Sequence, residues 1–408
     1  MNVCVVGLGY IGLPTSLMMA ASGVDVIGVD YSKPIVDKLN NAQITFEEDG
    51  LEELFDQARE RSIAFTCEYC EADMYVIAVP TPYDKQTKRV DARYVISAVK
   101  SVCGVAPKGA IIVIESTIAP GTIDAYVRPA IEGEGLTIGE DVHLAHAPER
   151  IIPGNMINEL RNNNRTIGAD DKRIAETVKS VYASFCKGTI LLTDIRTAEM
   201  SKVVENTFRD VNIAFANELA KICDSAGLDV YEVIRIANSH PRVNILSPGP
   251  GVGGHCISVD PWFLVGDFPN LAKLTWEARR INDSMPEYVL DHVHTLMLEH
   301  GITDVSRIGF YGLTYKENVD DYRESPTLQL AQSAACHLAQ GALRYYDPYI
   351  DKQIVDGQMF DLASFLDAID IVVIMVAHDE ILQNQNLLAG KIVYDTRNCL
   401  ELENAVKL

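Results

Sequence analysis

The stretch GPGVGGHCISVDP at 249–261 places four glycines ahead of a single thiol, Cys256, with Asp260 four residues later. A run so short of side chains lets backbone N–H groups approach a ligand closely. A buried structural cysteine would have apolar neighbours upstream, and here glycine takes most of those positions. The setting is instead one that activates sulfur, so Cys256 is expected to be a nucleophile. Asp260 falls one helical turn on if a helix starts near Cys256. His255 is adjacent in sequence, but neighbouring residues point different ways, so no Cys256–His255 pair is expected. A second group stands at Lys202 and Asn206, spaced i, i+4 on one helix face, followed by Arg209 and Asn217. A solvated stripe would explain these four residues, but Val203, Phe208 and Ile213 flank them and favour a place beside a site.

The third constellation opens the chain. Gly7-x-Gly9-x-x-Gly12 follows an apolar run and precedes a helical one, and Asp30 ends the next apolar run. The glycines permit a tight turn and close approach of a pyrophosphate, the helix N-terminus attracts phosphate, and Asp30 can accept from a ribose hydroxyl. Asp30 would repel a 2′-phosphate, which favours NAD over NADP, although Lys33 partly offsets it. Three further strand ends carry polar residues: Thr81 in VPTP, Thr117 in ESTIAPGT, and Glu149 with Arg150 in APER. Ligands of open α/β sheets sit at such ends.

The elements that must position these residues follow from hydrophobic periodicity. NVCVVGLGYIG, LPTSLMMAASG and VDVIGVD read as strand, glycine turn, helix and strand. MYVIAVP (74–80), AIIVIES (110–116) and VHLAHAP (142–148) are further strands. Alternation of strands and helices predicts a parallel sheet covered on both faces. From about Arg196 to His300 the pattern is helical only, beginning with one long helix that stops at Gly227. After Gly301 the alternation returns with SRIGFYGL, LRYYDP, IDIVVIMVA and KIVYDT. The expected class is α/β, with two Rossmann-like parallel-sheet domains joined by a long-helix, all-α middle domain. The expected bounds are 1–195, 196–300 and 301–408.

The 408 residues carry a formal net charge of −22, which argues against nucleic acid or an anionic membrane as partner. An anionic small ligand must then be met by local cations and backbone amides. Nine cysteines without framework spacing suit a reducing compartment, and the lone Cys67-x-x-Cys70 pair has no second pair to complete a zinc site, so no metal is expected. IVVIMVA (371–377) is strand-sized rather than membrane-spanning. The apolar start lacks a basic leader and is broken by glycines, so it reads as a strand and the expected location is the cytoplasm.

VGLGYIGLP, AVPTP, ESTIAPGT, PER, EMSKVVENTFRDVNIAFANE, GPGVGGHCISVDP and GLTYKENVDDYRESP occur in this order along the chain. Together they resemble the UDP-glucose/UDP-N-acetylmannosamine dehydrogenase family over essentially the whole length, with no departure at a catalytic position. The resemblance implies an NAD domain, a helical domain that builds a homodimer, and a UDP-sugar domain. It also implies oxidation of a sugar C6 alcohol to a carboxylate with two NAD+.

Carried onto matching positions, Cys256 is the nucleophile, Lys202 and Asn206 flank the reacting oxygen, and Asp260, Thr117 and Glu149 serve water or proton transfer. NAD contacts fall on Gly7, Gly9, Tyr10, Ile11, Gly12, Asp30, Thr81, Thr117 and Arg323. Substrate contacts fall on Arg150, Ile151, Lys202, Asn206, Arg209, His240, Arg242, Gly253, Tyr315, Lys316 and Arg397, with Arg242 acting in trans. RDVNIAFANE and SHPRVNIL resemble the N-acetylmannosamine branch, which implies UDP-N-acetyl-D-mannosamine as substrate and surface polysaccharide as the product's destination. UDP-N-acetylglucosamine and UDP-glucose are the alternatives. A one-step hydroxyacid dehydrogenase would need neither Cys256 nor a third α/β domain, and an NAD-binding sensor would need none of Lys202, Asn206 and Cys256.

Overall fold

The computed structural model describes residues 1–61, 63–254, 256–335 and 343–408, and His255 lies outside the described residues. The chain forms two compact units, Met1–Glu205 and Asn206–Leu408.

The first unit is built on an eight-stranded sheet. Its strands are β1 (Asn2–Val6), β2 (Asp25–Val29), β3 (Ile63–Thr66), β4 (Met74–Ile77), β5 (Ala110–Ile114), β6 (Val142–His146), β7 (Arg165–Ala169) and β8 (Ile190–Thr193). Their order is β3-β2-β1-β4-β5-β6-β7-β8. Alternate residues of β1 feed two cores: Val3 and Val5 face one, Cys4 and Val6 the other. A sheet buried on both faces explains why its strands read as unbroken apolar runs. The expected strands lie where the longer apolar runs are; β3 and β8 carry only three apolar residues in a row, and β7 has no such run. Neighbours pair in parallel except β6 and β7, which run antiparallel through Ala145–Ala169 and His146–Gly168. The finish of β6 therefore lies beside the finish of β7, and Arg165 at the start of β7 falls level with the residues that follow β6.

The long helix spans Ile195–Ala226, and the division between the two units falls inside it. It ends where Gly227 adopts φ +66°, with Leu228 N–H donating to Cys223 O at 2.8 Å, a left-handed stop that glycine takes without strain. Within the helical pattern, residues 273–300 form two helices, Lys273–Asp283 and Met285–His300. Pro286 in the first turn of the second has no N–H to continue the first.

The second unit holds a parallel six-stranded sheet of β9 (Ile308–Tyr311), β10 (Arg344–Tyr346), β11 (Gln358–Met359), β12 (Ile371–Ile374), β13 (Ile392–Asp395) and β14 (Val406–Lys407), in the order β11-β10-β9-β12-β13-β14. Ile371 and Val373 join a core with Ala216 and Ala220 of the long helix and Val289 and Val293 of the helix Met285–His300. The opposite face, with Val372 and Ile374, has its own core. Both sheets thus present strand ends between layers of helices, the α/β architecture expected from the alternation. Among the described residues no helix is long and apolar enough to cross a membrane.

Candidate active site

At the end of β1 the chain turns at Gly7, whose φ of +93° suits glycine and whose added Cβ would stand 2.8 Å from Ala78 O. A Cβ at Gly12 would collide with the Gly7 carbonyl, whereas one at Gly9 would meet open space. The next helix, Gly12–Ala21, starts from Ile11 with no side-chain cap, and the half-buried Tyr10 ring lies 4.4 Å from that of Phe46. Asp30 is buried; its Oδ2 accepts the Leu8 N–H and its Oδ1 the Ser32 N–H, each at 2.8 Å. The carboxylate ties the glycine turn to the end of β2, and each oxygen keeps a lone pair for a hydroxyl donor. This cradle fits a dinucleotide: Cβ-free backbone at the turn, an uncapped helix start for phosphate, and an acceptor for ribose.

Thr81 and Thr117 come together at the adjacent strand ends, the Thr81 hydroxyl donating to Thr117 O at 2.5 Å. The loop that follows Thr117 is gripped by Glu199 of the long helix, which accepts from Gly121 N (2.6 Å) and Ile123 N (2.9 Å). Burial pushes Glu199 up to about 7 against the pull of those two donors. Lys202, three residues on, is itself buried at 4% exposure.

After β6, Glu149 is clamped on both oxygens. Oε1 accepts the Arg150 N–H at 2.6 Å, and Oε2 meets the guanidinium of Arg165, the first residue of β7. Arg165 also faces Glu115 at 3.6 Å and lies over the Tyr182 ring at 4.7 Å, while the Tyr182 hydroxyl donates to Glu115 at 2.9 Å. Burial pushes Glu115 up to about 8, with Arg165 opposing. Arg150 donates to Asn164 O (3.0 Å) and to the Thr166 hydroxyl (2.9 Å), and its Nε lies 2.7 Å from Glu205. The Ile151 side chain enters the core. Arg165, Glu115 and Tyr182 were not picked out by sequence reasoning: Arg165 opens β7, Glu115 follows β5 and Tyr182 closes the helix Lys172–Tyr182, so only tertiary packing joins them.

In the second unit the structure brings Cys256, Asp260 and Asn206 together. Asp260 N–H donates to Cys256 O at 2.8 Å, so the two sit one turn apart at the mouth of the helix Asp260–Asp267. Asn206 Nδ2 donates to Asp260 Oδ2 at 2.6 Å, both residues being buried, while Cys256 is half-buried. The glycines before the thiol pack against the GLTYKENVDDYRESP segment. Gly254 N–H donates to Arg323 O at 2.9 Å. A Cβ on Gly253 would lie 2.6 Å from Tyr315 Cβ, and one on Gly254 would lie 2.9 Å from the Tyr315 ring. The Arg323 side chain pairs with Asp321 at 2.6 Å. Arg397 presents its guanidinium to Gly249, where a Cβ would stand 2.8 Å away, and the backbone N–H of Arg397 donates to Asp395 at 3.0 Å.

Arg209, His240 and Arg242 are exposed. The loop holding the last two is tied to the long helix by Asn212, which donates to Asn244 O at 2.8 Å and accepts from Leu246 N at 3.0 Å.

The chain matches known proteins along its length. Residues 1–186 match the NAD binding domain of the UDP-glucose/GDP-mannose dehydrogenase family, residues 196–284 its central domain, and residues 309–402 its UDP binding domain. A UDP-N-acetyl-D-mannosamine dehydrogenase of Methanococcus maripaludis is 42% identical, with 98% of this chain and 93% of that protein covered. One of Campylobacter jejuni is 40% identical, covering 94% and 97%. The solved UDP-N-acetyl-mannosamine dehydrogenase of Staphylococcus aureus superposes with a TM-score of 0.88 at 41% identity, covering 100% of this chain and 97% of that one. The corresponding enzyme of Pyrococcus horikoshii gives 0.92 at 35%, covering 100% and 98%. With an NAD-binding domain, a UDP-binding domain and relatives across its whole length, this chain belongs to the UDP-glucose/GDP-mannose dehydrogenase family.

Proposed function

We propose that the protein oxidises UDP-N-acetyl-D-mannosamine to UDP-N-acetyl-D-mannosaminuronate, for surface polysaccharide synthesis, with Cys256 as covalent nucleophile. The observation that carries the chemistry is the Cys256–Asp260–Asn206 arrangement, a thiol one turn from a buried carboxylate that is itself held by a buried amide. The full-length relatives of that name support the substrate.

NAD+, held by Gly7, Gly9, Tyr10, Ile11, Gly12, Asp30, Thr81, Thr117 and Arg323, supplies the two-electron acceptor for each of two oxidations. Between them the Cys256 sulfur bonds to the C6 aldehyde carbon, giving a thiohemiacetal whose carbon still bears a hydrogen. That tetrahedral carbon can be oxidised again, to a thioester, without release of a reactive aldehyde. Water then cleaves the thioester, returning the thiol and leaving the carboxylate, with Asp260, Thr117 and Glu149 serving water and proton transfer. Lys202 as a cation and Asn206 as a donor stabilise charge developing on the C6 oxygen. Arg150, Ile151, Arg209, His240, Gly253, Tyr315, Lys316 and Arg397 line the sugar nucleotide.

The functional parts are 1–195 for NAD, 196–300 for dimerisation and 301–408 for UDP. Val204, Phe208, Phe215 and Ile222 expose a helical apolar stripe, 47%, 67%, 49% and 54% accessible, which supports a homodimer built on the long helix. Arg242, exposed in the loop that Asn212 ties to the long helix, serves the partner's site. Free cysteines at Cys4, Cys103, Cys186 and Cys223 suit a reducing cytoplasm.

Purified enzyme with a panel of UDP-sugars tests the reading. UDP-N-acetyl-D-mannosamine should give two NADH per sugar. Faster turnover of UDP-glucose or UDP-N-acetylglucosamine overturns the substrate, and full turnover by Cys256→Ser overturns the covalent route.

A further inference from the structure

The segment 313–318 carries Tyr315, whose ring closes on Gly253 and Gly254, and Lys316. Its backbone is held from outside by two fully buried side chains on neighbouring strand ends, Asp347 after β10 and His378 after β12. Asp347 Oδ2 accepts the N–H groups of Leu313 (2.6 Å) and Thr314 (2.9 Å), and Oδ1 accepts that of Tyr349 (2.8 Å). His378 Nδ1 accepts the Asn318 N–H at 2.9 Å, so that nitrogen bears no hydrogen and the proton sits on Nε2. Nε2 lies 3.2 Å from Asp347 and 3.2 Å from the Thr314 hydroxyl, which spends its own hydrogen on Lys316 O at 2.9 Å. Asn318, at φ +57°, closes the turn by accepting the Asp379 N–H at 3.0 Å.

Four backbone N–H groups thus converge on one imidazole and one carboxylate, with Tyr315 and Lys316 between the two anchored ends. Burial would push Asp347 up, but the His378 N–H and the backbone donors hold its carboxyl below the ordinary value. Glu380, two residues after His378, is occupied by the hydroxyls of Tyr311 (3.1 Å) and Tyr346 (2.9 Å). Buried polar groups satisfied this completely specify one backbone conformation.

We propose that His378 is a positioning residue for substrate binding: with Asp347 and Thr314 it fixes the 313–318 segment in the shape that presents Tyr315 and Lys316 to the UDP-sugar. The proposal rests on the reading above that Tyr315 and Lys316 contact that substrate.

The test compares His378→Ala, His378→Asn and Thr314→Val in the full-length enzyme, with Lys316→Ala as control. Initial rates are measured against UDP-sugar and NAD+, UDP binding by calorimetry, and folding by thermal melts. Thr314→Val keeps the side-chain volume and loses both hydroxyl hydrogen bonds, the one donated to Lys316 O and the one accepted from His378 Nε2. It should raise KM for the UDP-sugar about tenfold, with kcat changed less than about threefold and KM for NAD+ unmoved. His378→Ala should do more. His378→Asn, whose Oδ1 replaces Nδ1 as acceptor for Asn318, should recover most of the loss. UDP affinity should fall in parallel with KM.

If Lys316→Ala leaves KM for the UDP-sugar unchanged, the reading of the segment as a substrate contact fails. If Lys316→Ala raises it while Thr314→Val and a folded His378→Ala do not, the positioning role is overturned. Equal losses for both substrates, or Asn no better than Ala, overturn it as well. Should His378→Ala fail to fold, Thr314→Val decides alone.

Discussion

Asn206 Nδ2 donates to Asp260 Oδ2 at 2.6 Å, from a side chain 7% exposed to one 1% exposed. The bond joins the long helix to the turn that presents Cys256. Asp260→Asn keeps an oxygen acceptor for Asn206 and removes the charge, so it should fold normally while kcat falls about 10²-fold through lost proton transfer. Asp260→Ala leaves the buried amide without its acceptor and should in addition cost about 1–3 kcal/mol of stability. Steady-state rates and urea midpoints on both variants check the pair. Wild-type kcat in Asp260→Asn would remove Asp260 from the chemistry.

Arg165 is the cation between two buried carboxyl groups, Glu149, which its guanidinium meets directly, and Glu115, which it faces at 3.6 Å. Arg165→Met should strand the Glu149 charge and destabilise the fold by about 3–5 kcal/mol. Adding Glu149→Gln removes the stranded charge, and the double variant should recover most of that loss in chemical denaturation. Additive losses would show that Arg165 and Glu149 do not act as a pair.

Glu115 and Glu199 make stability fall as pH rises. Burial raises Glu115 from 4.5 to about 8 and Glu199 from 4.5 to about 7, so the folded chain holds protons that the unfolded chain has released. Their favourable contribution is complete below the unfolded value and is lost as pH climbs through the folded one. Denaturation midpoints measured from about pH 5 to about pH 8.5 should decline, and Glu115→Gln or Glu199→Gln should each flatten part of the decline. An unchanged slope in both variants would place the dependence elsewhere.

Arg242 acting in trans predicts complementation. Arg242→Ala and Cys256→Ser homodimers should each be nearly inactive. Mixed under conditions that exchange subunits, they should regain activity, because a heterodimer holds one intact site. Confirmed exchange without recovery would confine Arg242 to its own chain or exclude it from the reaction.

The sequence disclosed most of what depends on local spacing. Gly7, Gly9 and Gly12 with Asp30 announced the strand–turn–helix–strand unit, because only that turn needs glycine there. Lys202 and Asn206 stood at helical spacing within an apolar pattern. Asp260 N–H does donate to Cys256 O one turn back, although the helix itself begins only at Asp260 and not near Cys256. What pairing alone creates was not legible. Arg165 opens RTIGA, a segment with no apolar run to mark it as a strand, and it finds Glu149 through a sheet reversal that no spacing encodes. His378 and Asp347 lie 31 residues apart on separate strand ends, so each alone reads as an ordinary loop residue. The break at Ser284 was missed because the apolar period runs on through Pro286.

The reversal of β7 also bears on how freely this site can be remodelled. At the ligand edge of an open α/β sheet most functional side chains ride on loops, whose lengths change with little effect on the framework. Arg165 is anchored differently: it belongs to a strand whose alignment with β8 is set residue by residue, Arg165 opposite Ile190. A slip of one position would turn its guanidinium to the other face of the sheet and strand both Glu115 and Glu149. A single insertion in β7 would therefore damage the site more than a several-residue change in the surrounding loops, and swapping loops from a relative leaves this part of the chemistry in place only if the strand is carried over intact.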